Sequence, residues 1–277
     1  MCNINFVWKA NSIKEIDLIA LEAVTYNSWT GNSHGEGYLL SNGLVKKSLD
    51  KIHPYLEKNI LAKKWVVFHE RYTTHGGNTI ENTQPIETDR IVFLHNGVIS
   101  ITAPADTSDS RMVAEDITKL MNAGTPFKEA FCKVMRENSG SKSIMVYDKQ
   151  TKKLYYYKNS SSSFYYLYHG DMFFGSTTKE NVEYMSKFYG MNAKIHSMVD
   201  NRLQLIGNDG TWSILCKVKE PKVKPYAYAL KESYSEKSTY PWQWNYWQKD
   251  PAKDDTMVKE GFDEYKDPDD VMDGGMK

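Results

Sequence analysis

The second residue of the chain is a cysteine, and removal of Met1 would leave Cys2 with a free α-amine. Cleavage of an initiator methionine needs a small second residue, which cysteine is. Thiol and base then belong to one residue, because an α-amine with an ordinary pKa of about 7.7–8.0 accepts a thiol proton near neutrality. Position alone is equally compatible with an inert second residue. Further along lie four polar blocks: His69-Glu70-Arg71-Tyr72-Thr73-Thr74-His75-Gly76, Asn82-Thr83-Gln84-Pro85, Leu94-His95-Asn96-Gly97-Val98-Ile99 and Ser108-Asp109-Ser110. Taken singly, Arg71 reads as a solvated arginine, His75 as a satisfied core histidine, Asn96-Gly97 as a hairpin turn and Asp109 as a helix N-cap. Taken with Cys2 they make coherent chemistry. Arg71 offers a fork for a carboxylate, Asp109 an anion for an ammonium, and Asn96 with the Gly97 N–H an oxyanion hole. The ligand they imply is a zwitterionic amino acid with a carbonyl open to attack.

Each block falls just after an expected strand or at a helix start, where polar side chains converge without breaking a core. β-rich apolar runs predict strands over Asn5–Trp8, Gly37–Leu40, Trp65–His69, Ile91–His95, Ser143–Asp148, Lys153–Lys158, Phe164–His169 and Met172–Gly175. Helical periodicity appears over Ile13–Tyr26, with Ser12 as N-cap and Glu15 as its capping-box partner, and over Val45–Lys58. It recurs over Ser110–Ala123, Phe127–Glu137 and Lys179–Tyr189. Strands and helices come in blocks, without strict β-α-β alternation, which predicts an α+β fold of antiparallel sheets with helices packed outside.

The ordered set of motifs resembles the class II glutamine amidotransferases, whose glutaminase domains are N-terminal-nucleophile hydrolases. The resemblance runs from Met-Cys through His34-Gly35-Glu36-Gly37, the R-Y-x-T-H-G block, N-x-Q-P, H-N-G-V-I and an Asp-Ser pair opening a helix, and continues into Phe173-Phe174-Gly175-Ser176. It implies a four-layer αββα sandwich of two antiparallel sheets over residues 1–219. It also implies Cys2 as nucleophile, Asn96 and Gly97 as oxyanion hole, and Arg71, Thr74, His75 and Asp109 as glutamine-binding residues. L-Glutamine is the implied substrate, with no metal or organic cofactor, and the ammonia would pass to a separate acceptor or synthase partner. A hydrolase of another γ-glutamyl compound and a catalytically inactive binding or scaffold module are the alternatives. Three positions depart from the family's usual residues: Asn3 for Gly, Gln84 for His before the proline, and Arg111 for Glu after Asp-Ser.

Composition narrows the classes. The 277 residues hold 35 Lys plus Arg and 35 Asp plus Glu, so no net field draws the whole chain to nucleic acid or an anionic membrane. No apolar run approaches the ~18 residues of a membrane span, and no signal peptide is readable, so a cytoplasmic location is expected. Cys2, Cys132 and Cys216 fit neither a disulfide framework nor zinc spacing. The spacings of His34, His69, His75 and His95 match no metal motif. Composition changes near Glu220: five of the nine prolines and three of the seven tryptophans follow it, and residues 250–277 carry a net charge of −6. Residues 220–277 therefore read as an aromatic and then acidic tail, partly disordered, with Trp242, Trp244 and Trp247 docking on the body or on a protein partner.

Overall fold

The structure is a computed structural model, and it describes residues 2–29 and 31–219. In chain order the elements are β1 (Asn3–Lys9), α1 (Glu15–Trp29), β2 (Glu36–Leu40), β3 (Val45–Ser48), β4 (Trp65–Glu70), β5 (Ile86–Glu87) and β6 (Ile91–Ser100). There follow α2 (Asp109–Asn122), α3 (Phe127–Glu137), β7 (Ser139–Asp148), β8 (Lys153–Lys158), β9 (Tyr165–His169) and β10 (Met172–Ser176). The described part closes with α4 (Lys179–Phe188), β11 (His196–Ser197), β12 (Arg202–Ile206) and β13 (Trp212–Lys217).

The strands form two antiparallel sheets, ordered β11-β9-β10-β1-β4-β2-β3 and β13-β12-β8-β7-β6-β5. Alternation along each strand builds three apolar layers, because successive side chains point to opposite faces. Ile4, Phe6 and Trp8 of β1 meet Val92, Leu94, Met145 and Tyr156 of the second sheet between the sheets. Val7, Phe68 and Phe174 face the other way, onto Leu18 and Leu21 of α1 and Val182 and Met185 of α4. On the far side Phe93 and Ile144 pack against Val113 and Ile117 of α2 and Phe131 of α3. The α+β architecture is thus the four-layer αββα sandwich.

Two local expectations are corrected. No helix spans Val45–Lys58: β3 pairs with β2, with Leu39 opposite Val45, and two single 3-10 turns, Pro54–Leu56 and Lys58–Ile60, follow. A proline at position 54 has no N–H to give and clashes with a preceding turn, so the apparent period cannot be realised. Ser12 does not cap α1. It sits at φ 74°, and the Asp17 carboxylate instead accepts the Lys14 N–H at 2.8 Å, closing the first turn from within. The expected aromatic and acidic tail, with Trp242, Trp244 and Trp247, lies outside the described residues. No helix among the described residues is long and apolar enough to cross a membrane.

Phe173 marks the centre of the inter-sheet layer, with ring centroids of Phe6, Tyr166, Tyr168 and Trp212 at 5.5, 5.4, 4.8 and 4.9 Å. Phe173→Ala is expected to cost about 3–5 kcal/mol in chemical denaturation, the range for a buried aromatic truncated to alanine. A loss below about 1 kcal/mol would contradict this packing.

Candidate active site

The antiparallel register of β1 and β4 sets Asn3 opposite Glu70, so the residue before Asn3 meets those that follow Glu70. Cys2 and the Arg71-Tyr72 pair thereby come together. The Tyr72 N–H donates to Cys2 Sγ at 3.3 Å, and the thiol donates to the Tyr72 carbonyl at 3.4 Å. By strand alternation Cys2 shares the face of Ile4, whereas Asn3 turns to the α1/α4 side. There Asn3 Nδ2 donates to Glu70 Oε2 at 3.0 Å, and Asn3 Oδ1 accepts from Thr177 and Thr178 hydroxyls at 2.7 and 3.1 Å. Asparagine at this position therefore braces the strand that follows Cys2 from behind without entering the cavity.

Arg71 is 3% exposed, so it is no solvated surface arginine. Its guanidinium donates to the carbonyls of Gly77 and His75 at 3.2 and 3.3 Å, folding the 72–78 segment over the site. Burial pulls the Arg71 pKa down, while negative charge at Cys2 and at Asp109 opposes that pull. The Cys2 thiol is pushed above its ordinary value, chiefly by burial and further by Asp109, against the Tyr72 hydrogen bond and the Arg71 charge. Thr74 and His75 are exposed residues of that same segment. Thr73 N–H donates to His34 Nδ1 at 2.9 Å, and the His34 ring lies 5.2 Å from that of Tyr72.

Asn96 and Gly97 form no turn. They lie within β6, opposite Ser143 and Lys142 of β7. Gly97 has φ 140°, and a Cβ there would fall 2.1 Å from the Ser141 carbonyl oxygen and 2.9 Å from His95 Nε2, so only glycine fits. Asn96 Oδ1 is buried and accepts no hydrogen bond among the described residues. Asp109 is the first residue of α2 and not its cap. Ser108 is the N-cap and accepts the Arg111 N–H, while Asp109 Oδ2 and Oδ1 take the N–H groups of Ile99 and Ser110, each at 2.7 Å. Arg111 turns along the helix to pair with Glu115 at 3.0 Å.

Sequence reading under-weighted a buried frame around His95. Its Nδ1 meets Ser110 Oγ at 2.9 Å and its Nε2 the Ser141 carbonyl at 3.1 Å. Gln84, in place of the family's histidine, accepts the His95 N–H through Oε1 and donates Nε2 to the His95 carbonyl at 3.1 Å and to Ser110 Oγ at 3.3 Å. His69 Nε2 also reaches that carbonyl, at 3.1 Å. Burial drives the pKa of His95 down and that of His69 down to about 3, which keeps both rings neutral. Asn82 joins the loops, accepting the Ser108 N–H at 3.0 Å and donating to the Asp106 carbonyl at 2.7 Å. The quoted N-x-Q-P block contained both Asn82 and Gln84. A side chain that bonds the backbone of a distant strand leaves no other mark in sequence.

Cys2, Arg71, Tyr72, Thr74, His75, Gly97 and Asp109 converge on one small cavity. Its volume of about 10 Å³ holds roughly one water molecule. Asn96 stands beside it in β6 without lining it.

No family model matches the chain. It is 24% identical over 260 residues to a glutamine–fructose-6-phosphate aminotransferase (isomerizing) of Geobacillus kaustophilus, an alignment covering 87% of this chain and 42% of the relative. The enzyme of the same description from Bacillus spizizenii is 27% identical over 158 residues, 50% of this chain and 26% of the relative. The chain carries a class II glutamine amidotransferase domain. Solved structures agree in fold. The glutamine phosphoribosylpyrophosphate amidotransferase of B. subtilis superposes with a TM-score of 0.56 at 13% identity, over 79% of this chain and 49% of that one. A structure described as the allosteric regulatory enzyme of purine biosynthesis gives 0.57 at 14%, with the same coverages. The chain spans less than half the length of the curated relatives it matches.

Gly97→Ala in the domain is expected to lower stability by at least about 1–3 kcal/mol, the usual cost of a forced backbone conformation, before the collision with Ser141 is added. Denaturant unfolding checks this. A change within about 0.5 kcal/mol, as at an indifferent surface site, would contradict the geometry.

Proposed function

We propose that the domain hydrolyses the side-chain amide of L-glutamine through Cys2, once Met1 has been removed, and releases ammonia to a separate acceptor. The convergence of the Cys2 thiol, the Arg71 guanidinium, the Asp109 carboxylate and Gly97 on one cavity carries this reading. Cys2 thiolate attacks the Cδ carbonyl, its proton going to its own α-amine. Asn96 and the Gly97 N–H hold the oxyanion. The α-ammonium then protonates the leaving ammonia, and water cleaves the γ-glutamyl thioester. Arg71 takes the substrate α-carboxylate and Asp109 the α-ammonium, with Thr74 and His75 closing over the ligand.

A cavity the size of one water cannot hold an amino acid, so entry of glutamine requires the 72–78 segment to lift. Arg71 then exchanges the Gly77 and His75 carbonyls for the carboxylate. That exchange replaces neutral acceptors by a charged one, which strengthens each bond.

The domain is assigned residues 1–219, with 220–277 as an appended tail that offers a docking segment to a synthase subunit or other protein partner. A cytoplasmic site of action fits this role.

Arg71→Lys is expected to raise KM for glutamine with the fold intact, since an ammonium cannot reproduce two parallel N–H···O bonds. The loss of a charge-assisted bond, about 1.5–3 kcal/mol, corresponds to roughly 10- to 150-fold in kcat/KM. Cys2→Ala is expected to fold and to lose all turnover. Unchanged glutamine kinetics in the Arg71 variant would remove that residue from the site, and residual turnover in the Cys2 variant would remove the nucleophile.

A further inference from the structure

Away from the Cys2 cavity, the fold brings together two cysteines that lie 84 residues apart in sequence. Cys132, on α3, and Cys216, on the edge strand β13, have their sulfurs 3.3 Å apart, and both residues are partly exposed. They open into a pocket of about 390 Å³, within the usual range for small-molecule sites. Its charged lining is Lys128, Lys133, Arg136, Lys217 and Lys219 against the single acid Glu129, and it shares no residue with the Cys2 cavity. Two thiols in contact at the wall of a cationic pocket are arranged for chemistry that neither could do alone.

We propose that Cys132 and Cys216 form a thiol–disulfide exchange site that takes a carboxylate-bearing low-molecular-weight disulfide and ends as a cross-link between α3 and β13. The two sulfurs have different roles. Cys216 is pulled toward the thiolate by the hydrogen bond from Cys132, with Lys128 and Arg136 adding their charge, whereas the same contact and burial push the Cys132 thiol up. Cys216 thiolate attacks one sulfur of the incoming disulfide RSSR. The RS–SR bond breaks, RS⁻ leaves and takes up a proton, and a Cys216 mixed disulfide forms. Cys132 then gives up its proton and attacks the Cys216 sulfur, expelling the second RS⁻, which is protonated in turn. The protein dithiol is oxidised by two electrons and the low-molecular-weight disulfide is reduced to two thiols. The final bond needs the sulfurs to close from 3.3 Å to about 2.05 Å. The cationic lining selects for carboxylates on RSSR, as any pocket of one charge concentrates the opposite one.

The test treats the reduced full-length protein, carrying Cys2→Ala so that the third thiol is absent from every form compared, with glutathione disulfide, or with cationic cystamine, at equal concentration in low salt. Thiols are then trapped by alkylation, and intact mass and non-reducing peptide maps are read. Each rate is divided by that disulfide's rate with the urea-unfolded protein. The expected product is the Cys132–Cys216 cross-link, two hydrogens lighter than the reduced chain. It should form at least ~10-fold faster with glutathione disulfide than with cystamine, and the gap should shrink in high salt and in Lys128→Gln/Arg136→Gln. Cys132→Ser should stop at one glutathionyl adduct on Cys216, and Cys216→Ser should leave Cys132 unmodified over the same period. A wild-type protein that accumulates the mixed disulfide without the cross-link, cystamine reacting as fast as glutathione disulfide, or Cys132 reacting normally in Cys216→Ser would each overturn the proposal.

Discussion

The register between β1 and β4 is what makes a site at Cys2 feasible. Cys2 immediately precedes β1, so its position is set by how that strand is fixed by its neighbours. Here β1 lies between β4 and β10, with Asn3 opposite Glu70 and Asn5 opposite Ser176. Because side chains alternate with a period of two, a slip of one residue would send Ile4, Phe6 and Trp8 to the helix side and Asn3 and Asn5 between the sheets. Glu70 Oε2 opposes that slip by accepting from both asparagines, at 3.0 and 3.1 Å, inside a layer where an unmade bond to a carboxylate is expensive. The same polar bracing that fixes the strand delivers Cys2 to the Arg71-Tyr72 backbone.

The second sheet is locked to the first at the same end of the sandwich. His69 of β4 reaches across to the His95 carbonyl of β6, and Gln84 and Ser110 complete the frame from a loop and from the start of α2. This frame works with neutral imidazoles, since burial penalises a charged ring more than the nearby Asp109 carboxylate offsets at His95. Burial supplies the required pKa depression for both rings. Gly97 and Asp109 are positioned as consequences: one follows His95 in the strand, the other precedes Ser110 in the helix. The site is therefore rigid on the β6/α2 side. On the other side it is closed by a segment held chiefly through Arg71 and His34.

Much of this was legible in the sequence because the residues that carry chemistry also punctuate the elements. Arg71 follows the last buried residue of β4, and Asp109 opens α2, so motif and boundary coincided. Where local pattern and tertiary geometry pointed apart, the pattern gave way. Asn96-Gly97 carries the strongest hairpin-turn pair, yet it runs on in β6 because Gly97 meets the Ser141 carbonyl where no Cβ fits. Val45–Lys58 shows a helical period that Pro54 interrupts and that pairing with β2 overrides. Trp212–Lys217 was missed as a strand, since an edge strand exposed on much of its length has no clean alternation, and Arg202–Ile206, which lies inside the sheet between β13 and β8, was missed with it. The meeting of Cys132 with Cys216 depends on tertiary packing of α3 against that edge, which no spacing rule encodes.

The central claim is that one residue supplies both nucleophile and base, and it is tested most directly by comparing two forms of the same protein. One begins at Cys2 and the other retains Met1, each confirmed by intact mass, and both are assayed for steady-state glutamine hydrolysis. An amide nitrogen cannot accept the thiol proton, so the Met1-retaining form is predicted to be slower by at least ~10²-fold, the lower range for loss of a general base. Equal rates in the two forms would contradict the account.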